Sequence, residues 1–301
     1  MTRILLSGRT GQVGRELQRT LQALGDITAP DRTAMDLGEE EAIRRKVREV
    51  RPDIIVNPAA YTAVDRSEEE KGKARLLNSR APAIMAEEAG RLGSLLIHYS
   101  TDYVFDGEKK GRYREDDRPA PLNVYGRTKL EGEEKIRETG CRHLILRTSW
   151  VYSLRGTNFL LTMLRLFQER EKLSVIADQT GAPTWARLIA EATALIVHQA
   201  RREQRQGHFE SGTYHLTSRG ATTWYGFAHR IREEAENFLG REKMKVKEIA
   251  AISSGDYPTA ATRPRNSRLD VSALEERFGL RMPAWDLSLH LCLADAGQAL
   301  K

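Results

Sequence analysis

Tyr125-Gly126-Arg127-Thr128-Lys129 sets a phenol and an ammonium four residues apart. In a helix that spacing puts both on one face. A tyrosine hydroxyl with its ordinary pKa near ~10 is a poor acid at neutral pH. A close ammonium favours the phenolate, so Lys129 is expected to lower the pKa of Tyr125. Tyr125 could then give a proton to a carbonyl oxygen or take one back, and Lys129 could also hold a ribose. A second group, Tyr99-Ser100-Thr101-Asp102-Tyr103-Val104-Phe105-Asp106-Gly107, ends an apolar run. A hydroxyl there can hydrogen-bond the same oxygen. Together these groups suit carbonyl reduction: a hydride from a cofactor, a proton from tyrosine and a hydroxyl that orients the oxygen.

A hydride donor needs a seat, and Gly8-Arg9-Thr10-Gly11-Gln12-Val13-Gly14 has the composition of one. Gly8 permits a tight turn, Gly11 lets backbone approach a pyrophosphate, and Gly14 lets helix and strand pack closely. The helix that follows offers unpaired N–H groups to phosphates. An acid that grips the adenosine ribose is expected about 20 residues further on. Asp31 fills that place and favours NADH, while Arg32 beside it could meet the 2′-phosphate of NADPH. The choice stays open. Asp36-Leu37 could cap the next helix or line an adenine pocket. Asn57-Pro58-Ala59-Ala60-Tyr61-Thr62 has small residues after a strand, which let a cofactor lie across a sheet edge.

The elements that must position these groups alternate. Arg3–Ser7, Ile54–Asn57, Leu95–Ser100 and His143–Thr148 are short apolar runs without period-two alternation. Helical spacing fills Gln12–Leu24, Glu39–Arg51, Ala81–Leu92 and Leu130–Glu138. Strands of this kind separated by helices predict an α/β fold: a doubly wound parallel sheet of Rossmann type. After residue 150 helices such as Asn158–Glu171 and Ala186–Gln199 lengthen and strands shorten. The division expected is a dinucleotide-binding domain, 1–150, and a smaller substrate domain, 151–301, with short strands near 173–177 and 213–217 returning to the first.

Composition narrows the class. The chain has 301 residues, 40% hydrophobic and 30% charged, enough for a sizeable core. Two cysteines without a CxxC exclude a disulfide framework and a Cys-rich zinc site. A formal charge of +6 raises the question of nucleic acid, but acids and bases interleave along the helices, as in Glu39-Glu40-Glu41 before Arg44-Arg45-Lys46. That is a solvated surface and not a basic stripe. An anionic small substrate accounts for the surplus equally well. No apolar run has a membrane span's length and no signal-peptide layout opens the chain, so cytoplasmic residence is expected. His98, His215 and the aromatics of Trp224-Tyr225-Gly226-Phe227 read as core residues, and the histidines lack metal-ligand spacing.

These strings, with Leu146–Tyr152 (LRTSWVY), Asp178–Thr184 (DQTGAPT) and Arg263–Asp270 (RPRNSRLD), run in order over almost the whole chain. The chain resembles the extended short-chain dehydrogenase/reductases and, within them, the dTDP-4-dehydrorhamnose reductase family. The resemblance implies reduction of the C4 keto group of dTDP-4-dehydro-6-deoxy-L-mannose to dTDP-L-rhamnose with NADPH or NADH. It implies Tyr125 as proton donor, Lys129 as its electrostatic partner and ribose ligand, and Thr101 as the hydroxyl partner. Gly11, Gln12 and Val13 match the pyrophosphate loop; Asp31, Asp36, Leu37, Ala60, Tyr61 and Thr62 match other cofactor contacts. Asp102, Tyr103 and Trp150 match groups beside the sugar, and the loop carrying Arg263, Arg265, Asn266 and Arg268 matches one that approaches the nucleoside diphosphate. Some members dimerise through a magnesium ion held by acids. Glu16 matches one ligand, but Arg187 falls where an acid would align, so no metal is expected, and the chain is a monomer or homodimer. Two alternatives are another nucleotide-sugar epimerase or reductase, and a non-catalytic subunit like the regulatory subunit of methionine adenosyltransferase. Tyr103 following Asp102, where a dehydratase would carry glutamate, speaks against dehydration.

Overall fold

The computed structural model describes residues 1–240 and 244–299. Its main sheet is built from the runs identified above: β1 (Arg3–Leu6), β2 (Asp26–Thr28), β3 (Ile54–Asn57), β4 (Leu95–Thr101) and β5 (Arg142–Thr148). Gly212–His215 forms the sixth strand, and the spatial order is Gly212–His215, β5, β4, β3, β1, β2. Every pairing is parallel. The order reverses between β1 and β3, and the crevice at that switch point is where such sheets take ligands.

Alternate residues of each strand feed two different apolar layers, as the pleat requires. Ile4 and Leu6 pack with Leu17, Leu21, Ile189 and Ile196 on one face, while Leu5 packs with Ile43, Val47 and Ile84 on the other. The first layer is completed by helix Ala186–Gln206, which packs against helix Gln12–Thr20. A further cluster joins Tyr152, Leu160, Phe167, Phe227 and Leu289, all from the second half of the chain.

Two local expectations change, while the Ala81–Leu92 helix keeps its expected bounds. The strand at Lys172–Ile176 does not rejoin the main sheet; it pairs in parallel with Glu248–Ile252. Its burial alternates, with Leu173 and Val175 inside, which suits a small ribbon covered on one side. The tyrosine helix runs Val124–Glu138, so its start precedes the expected Leu130. Asn123 caps it by accepting from Gly126 N at 2.8 Å. The Ala81–Leu92 helix is entered through a π-type turn, Leu76–Arg80. Among the described residues no helix is long and apolar enough to cross a membrane.

Candidate active site

The glycine loop joins β1 to helix Gln12–Thr20, with Gly11 at the helix N-cap and no side chain capping it. Gly8 has φ +58°, a left-handed conformation that costs other residues energy. A Cβ on Gly14 would stand 2.1 Å from the Gly8 carbonyl oxygen, so only glycine allows the loop to fold back on the helix. The arrangement leaves the first N–H groups of the helix to an anion. Gln12 accepts from Ser153 Oγ at 2.9 Å and Asn158 Nδ2 at 2.8 Å, tying the loop to the second half of the chain, and Val13 packs against the core. The loop therefore fits a dinucleotide pyrophosphate. Gly14→Ala is expected to weaken NADPH binding about tenfold or more, since the crowding falls on backbone that cannot give way. A fluorescence titration of NADPH reads this directly.

Beyond the loop, Asp31 accepts from Thr33 Oγ1 at 2.6 Å and Ala34 N at 3.0 Å, with Arg9 3.4 Å away. These bonds hold its carboxyl below the ordinary range. Arg32 is exposed and its Nε donates to Asp36 at 3.0 Å. Asp36 does not cap the next helix with its side chain. It takes the Gly38 N–H at 2.8 Å in the turn before that helix, and Leu37 is partly buried beside it. Tyr61 lies between Ala60 and the exposed Thr62, but its ring is buried and its hydroxyl donates to Glu70 at 2.7 Å. Asn78 clamps its backbone from both sides, accepting from Tyr61 N at 2.8 Å and donating to Tyr61 O at 3.1 Å.

At the C-terminal end of β4, Thr101 Oγ1 donates to Asp102 Oδ1 at 3.0 Å and accepts from Tyr103 N at 3.2 Å. Tyr103 meets Tyr125 edge to face, with ring centroids 5.6 Å apart. Burial pushes the Tyr125 phenol up to about 12; a hydrogen bond with Thr101 works against the rise and the Asp102 charge adds to it. Burial likewise raises Asp102 to about 6, against hydrogen bonds with Ser267 and Thr101. Asp102 Oδ2 has no well-formed partner.

Lys129 departs from expectation. It shares a helix face with Tyr125, but its ammonium donates to the Tyr99 carbonyl at 2.5 Å and faces His98 Nε2 at 3.1 Å. It contributes nothing resolved to the Tyr125 shift, which is upward, so the expected lowering of the phenol is corrected. The four-carbon stem carries the charge to two groups of β4, the Tyr99 carbonyl and the His98 ring. Burial lowers Lys129 itself to about 8, against the favourable charge of Glu133.

On the far side of the site, Trp150 adopts φ 48°, a strained backbone for a large side chain and worth of order 1–3 kcal/mol. Its indole stacks on Trp224 at 3.5 Å and 6°. Gly181 leaves the room it needs, since a Cβ there would stand 2.5 Å from the indole ring. Trp224, read from sequence as core, is this stacking partner. Arg263 forks onto Asp65, with bonds of 2.6 and 3.1 Å, and also contacts Tyr103. Arg265 is exposed. Asn266 departs from its expected place at the substrate: its buried amide donates to the Lys109 and Gly111 carbonyls at 2.5 and 2.8 Å and so holds the loop after β4. The groups that sequence reasoning missed are Asp65, Ser267, Asn78 and the pair Asn57–His98 behind Lys129. Each depends on partners distant in the chain.

A family model described as the RmlD substrate binding domain matches residues 1–297. The dTDP-4-dehydrorhamnose reductase of Burkholderia thailandensis is 47% identical over 293 residues, 97% of this chain and 98% of that one. The chain belongs to the dTDP-4-dehydrorhamnose reductase family. It is thus an oxidoreductase with a nicotinamide dinucleotide as cofactor. The Escherichia coli K12 reductase of the same name is 45% identical over 95% of both chains. Among solved structures, the Bacillus anthracis dTDP-4-dehydrorhamnose reductase in complex with NADP superposes with a TM-score of 0.87 at 34% identity, covering 98% of this chain and all (100%) of that one.

For a member of this reductase family a magnesium site between acids has to be weighed. Glu16, Glu191 and Asp295 do approach one another, the last two from helices far along the chain. Arg187 stands among them: its Nε is 3.5 Å from Glu16, and its guanidinium pairs with Asp295. Arg187 on Glu16 and Asp295, and Arg19 3.4 Å from Glu16, already pair with these carboxylates, so the residues do not fit a dication. Dialysis against EDTA is expected to leave the melting temperature unchanged. A fall that magnesium restores would show that the carboxylates bind metal despite the arginines.

Proposed function

We propose that this chain reduces the C4 keto group of dTDP-4-dehydro-6-deoxy-L-mannose to dTDP-L-rhamnose, with NADPH or NADH as reductant and Tyr125 as proton donor. The observation that carries the reading is the meeting of Tyr125, Thr101 and Asp102 at the end of β4, on the same sheet edge as the glycine cradle after β1. The names of the relatives supply the substrate class, and the basic late loop suits a nucleoside diphosphate.

When bound, the reduced nicotinamide supplies the hydride. Gly8, Gly11 and Gly14, with the N–H groups of Gln12 and Val13, would hold the pyrophosphate. Asp31 and Arg32, the latter held by Asp36, would meet the adenosine ribose, and Leu37, Ala60 and Thr62 would line its seat. Tyr61 would contribute only the shape of the pocket wall, because its hydroxyl is engaged by Glu70 and its backbone by Asn78. Lys129 has three N–H bonds and two protein acceptors, which leaves one for a ribose hydroxyl.

Burial keeps Tyr125 protonated across the neutral range. As negative charge builds on the carbonyl oxygen, the phenol O–H breaks, the alcohol O–H forms, and the electron pair stays on the phenolate. The Thr101 hydroxyl stabilises that phenolate, as its lowering of the phenol pKa indicates. Asp102 Oδ2, buried and without a well-formed hydrogen-bond partner, would accept from a sugar hydroxyl. Tyr103 and Trp150 flank the ring, Arg263 and Arg265 meet the diphosphate, and Asn266 holds the loop that frames them.

The test is turnover of purified nucleotide sugars with each cofactor, following both loss of reduced nicotinamide and the sugar product. Reduced sugar formed in step with cofactor oxidation is expected. Cofactor oxidation without that product would overturn the reading.

A further inference from the structure

A line of buried polar groups runs from Lys129 across three neighbouring strands. Lys129 Nζ faces His98 Nε2 at 3.1 Å. His98 is the register partner of Asn57 on β3, and its Nδ1 faces Asn57 Nδ2 at 3.1 Å. The other end of that amide, Oδ1, accepts from Ser7 Oγ at 2.6 Å, just beyond β1. None of the four residues is more than 2% exposed. Water cannot substitute for any missing partner, so the donors and acceptors must balance among themselves.

A neutral imidazole has one N–H and one acceptor nitrogen. Burial and the Lys129 charge hold His98 neutral. If Nε2 accepts from a charged Lys129, the ring proton is on Nδ1 and needs an acceptor. The Asn57 amide supplies one when its oxygen faces Nδ1, and its Nδ2 then donates to Ser7 Oγ. If Nδ2 faces Nδ1 instead, the ring proton sits on Nε2 and suits only a neutral lysine. The orientation of one buried amide is therefore tied to the charge on Lys129.

We propose that His98 is a positioning residue for Lys129 and that, beside the charged lysine, the Asn57 amide turns end for end from the orientation described above, so that its oxygen takes the Nδ1 proton and Nε2 accepts from the ammonium. The proposal rests on the reductase reading of the site, in which Lys129 works in its charged form. The other groups facing the ammonium are the Tyr99 carbonyl from β4 and Glu133 from its own helix. Neither replaces the imidazole, because the carbonyl is already used and Glu133 is forked onto Arg147.

Two measurements test this. In wild-type protein labelled with 15N-histidine, the His98 ring shifts are expected to report the Nδ1–H tautomer at neutral pH; the Nε2–H tautomer would overturn the proposal without reference to activity. In pH profiles of kcat/KM, His98→Phe is expected to move the alkaline limb about one pH unit lower, the scale of one lost hydrogen bond to a charged group. His98→Gln, which keeps an acceptor oxygen within reach of Nζ, is expected to keep the limb in place. A His98→Phe profile that overlays wild type, with only a lower melting temperature, would make His98 merely structural. Loss of the reductase reading would look different: Tyr125→Phe would turn over like wild type, whatever the histidine does.

Discussion

Tyr125→Phe is expected to lower kcat by about two to four orders of magnitude, the range for removing a positioned general acid. KM for the sugar nucleotide should change little. The ring remains, and with it the edge-to-face contact with Tyr103 at 5.6 Å. Stability should hold as well, because the lost hydroxyl leaves behind only a threonine that has Asp102 as a second partner. Steady-state kinetics beside a thermal melt would separate these effects. Equal rates in the variant and the wild type would remove tyrosine from the chemistry. The upward shift of the phenol also fixes a sign. Tyr125, raised to about 12, stays protonated well above neutrality, so the alkaline limb belongs to Lys129 near 8. Activity is expected to fall as pH rises through that value.

The largest expected effect on stability comes from Arg147→Met. Arg147 and Glu133 are buried and joined by two bonds, 2.9 and 2.7 Å, that pin the Tyr125 helix to β5. Arg147 also lies over the Phe105 ring, 5.1 Å from its centroid. Burial alone would raise the Glu133 carboxyl, but the arginine holds it below the ordinary range. Removing Arg147 leaves the buried Glu133 charge with only the more exposed Arg137 at 3.3 Å, at a cost of up to about 3–5 kcal/mol. Urea denaturation should show it. Replacing both residues with apolar ones should recover much of the loss, since a well-packed apolar pair can match a buried ion pair. The sign with pH follows from the depressed carboxyl: the pair's contribution is complete above the ordinary carboxylate range and disappears as pH falls through the folded value. A variant as stable as wild type would mean that the fork contributes nothing net.

The parallel sheet was legible because its strands are buried on both faces and read as unbroken apolar runs. The glycine loop was legible because its demands are local: a positive φ at Gly8 and a Cβ-free approach at Gly14. Lys172–Ile176 was misplaced because a short run carries no record of its pairing partner, here 76 residues away at Glu248 in the register Lys172↔Glu248. The start of the tyrosine helix was missed because Val124, Tyr125 and Gly126 are weak helix formers, and the cap that rescues them is the single side chain of Asn123. Spacing put Tyr125 and Lys129 on one face but could not say where a long side chain ends or how deeply each group is buried, and burial is the first cause of both shifts. Asn266 has the chemistry of a substrate ligand; only the fold shows its amide already used by the 109–111 loop.

The helix Ala186–Gln206 and the strand Gly212–His215 both close surfaces opened by the first 150 residues. Ile189, Ala192 and Ile196 cover the layer containing Ile4, Leu6 and Leu17, and Thr193 bonds Tyr99 at 2.6 Å. During synthesis, then, the first 150 residues emerge from the ribosome with one apolar flank bare and one strand edge unpaired. They wait for chain that has not yet been made, and until that chain arrives the growing polypeptide presents a sticky template for wrong partners.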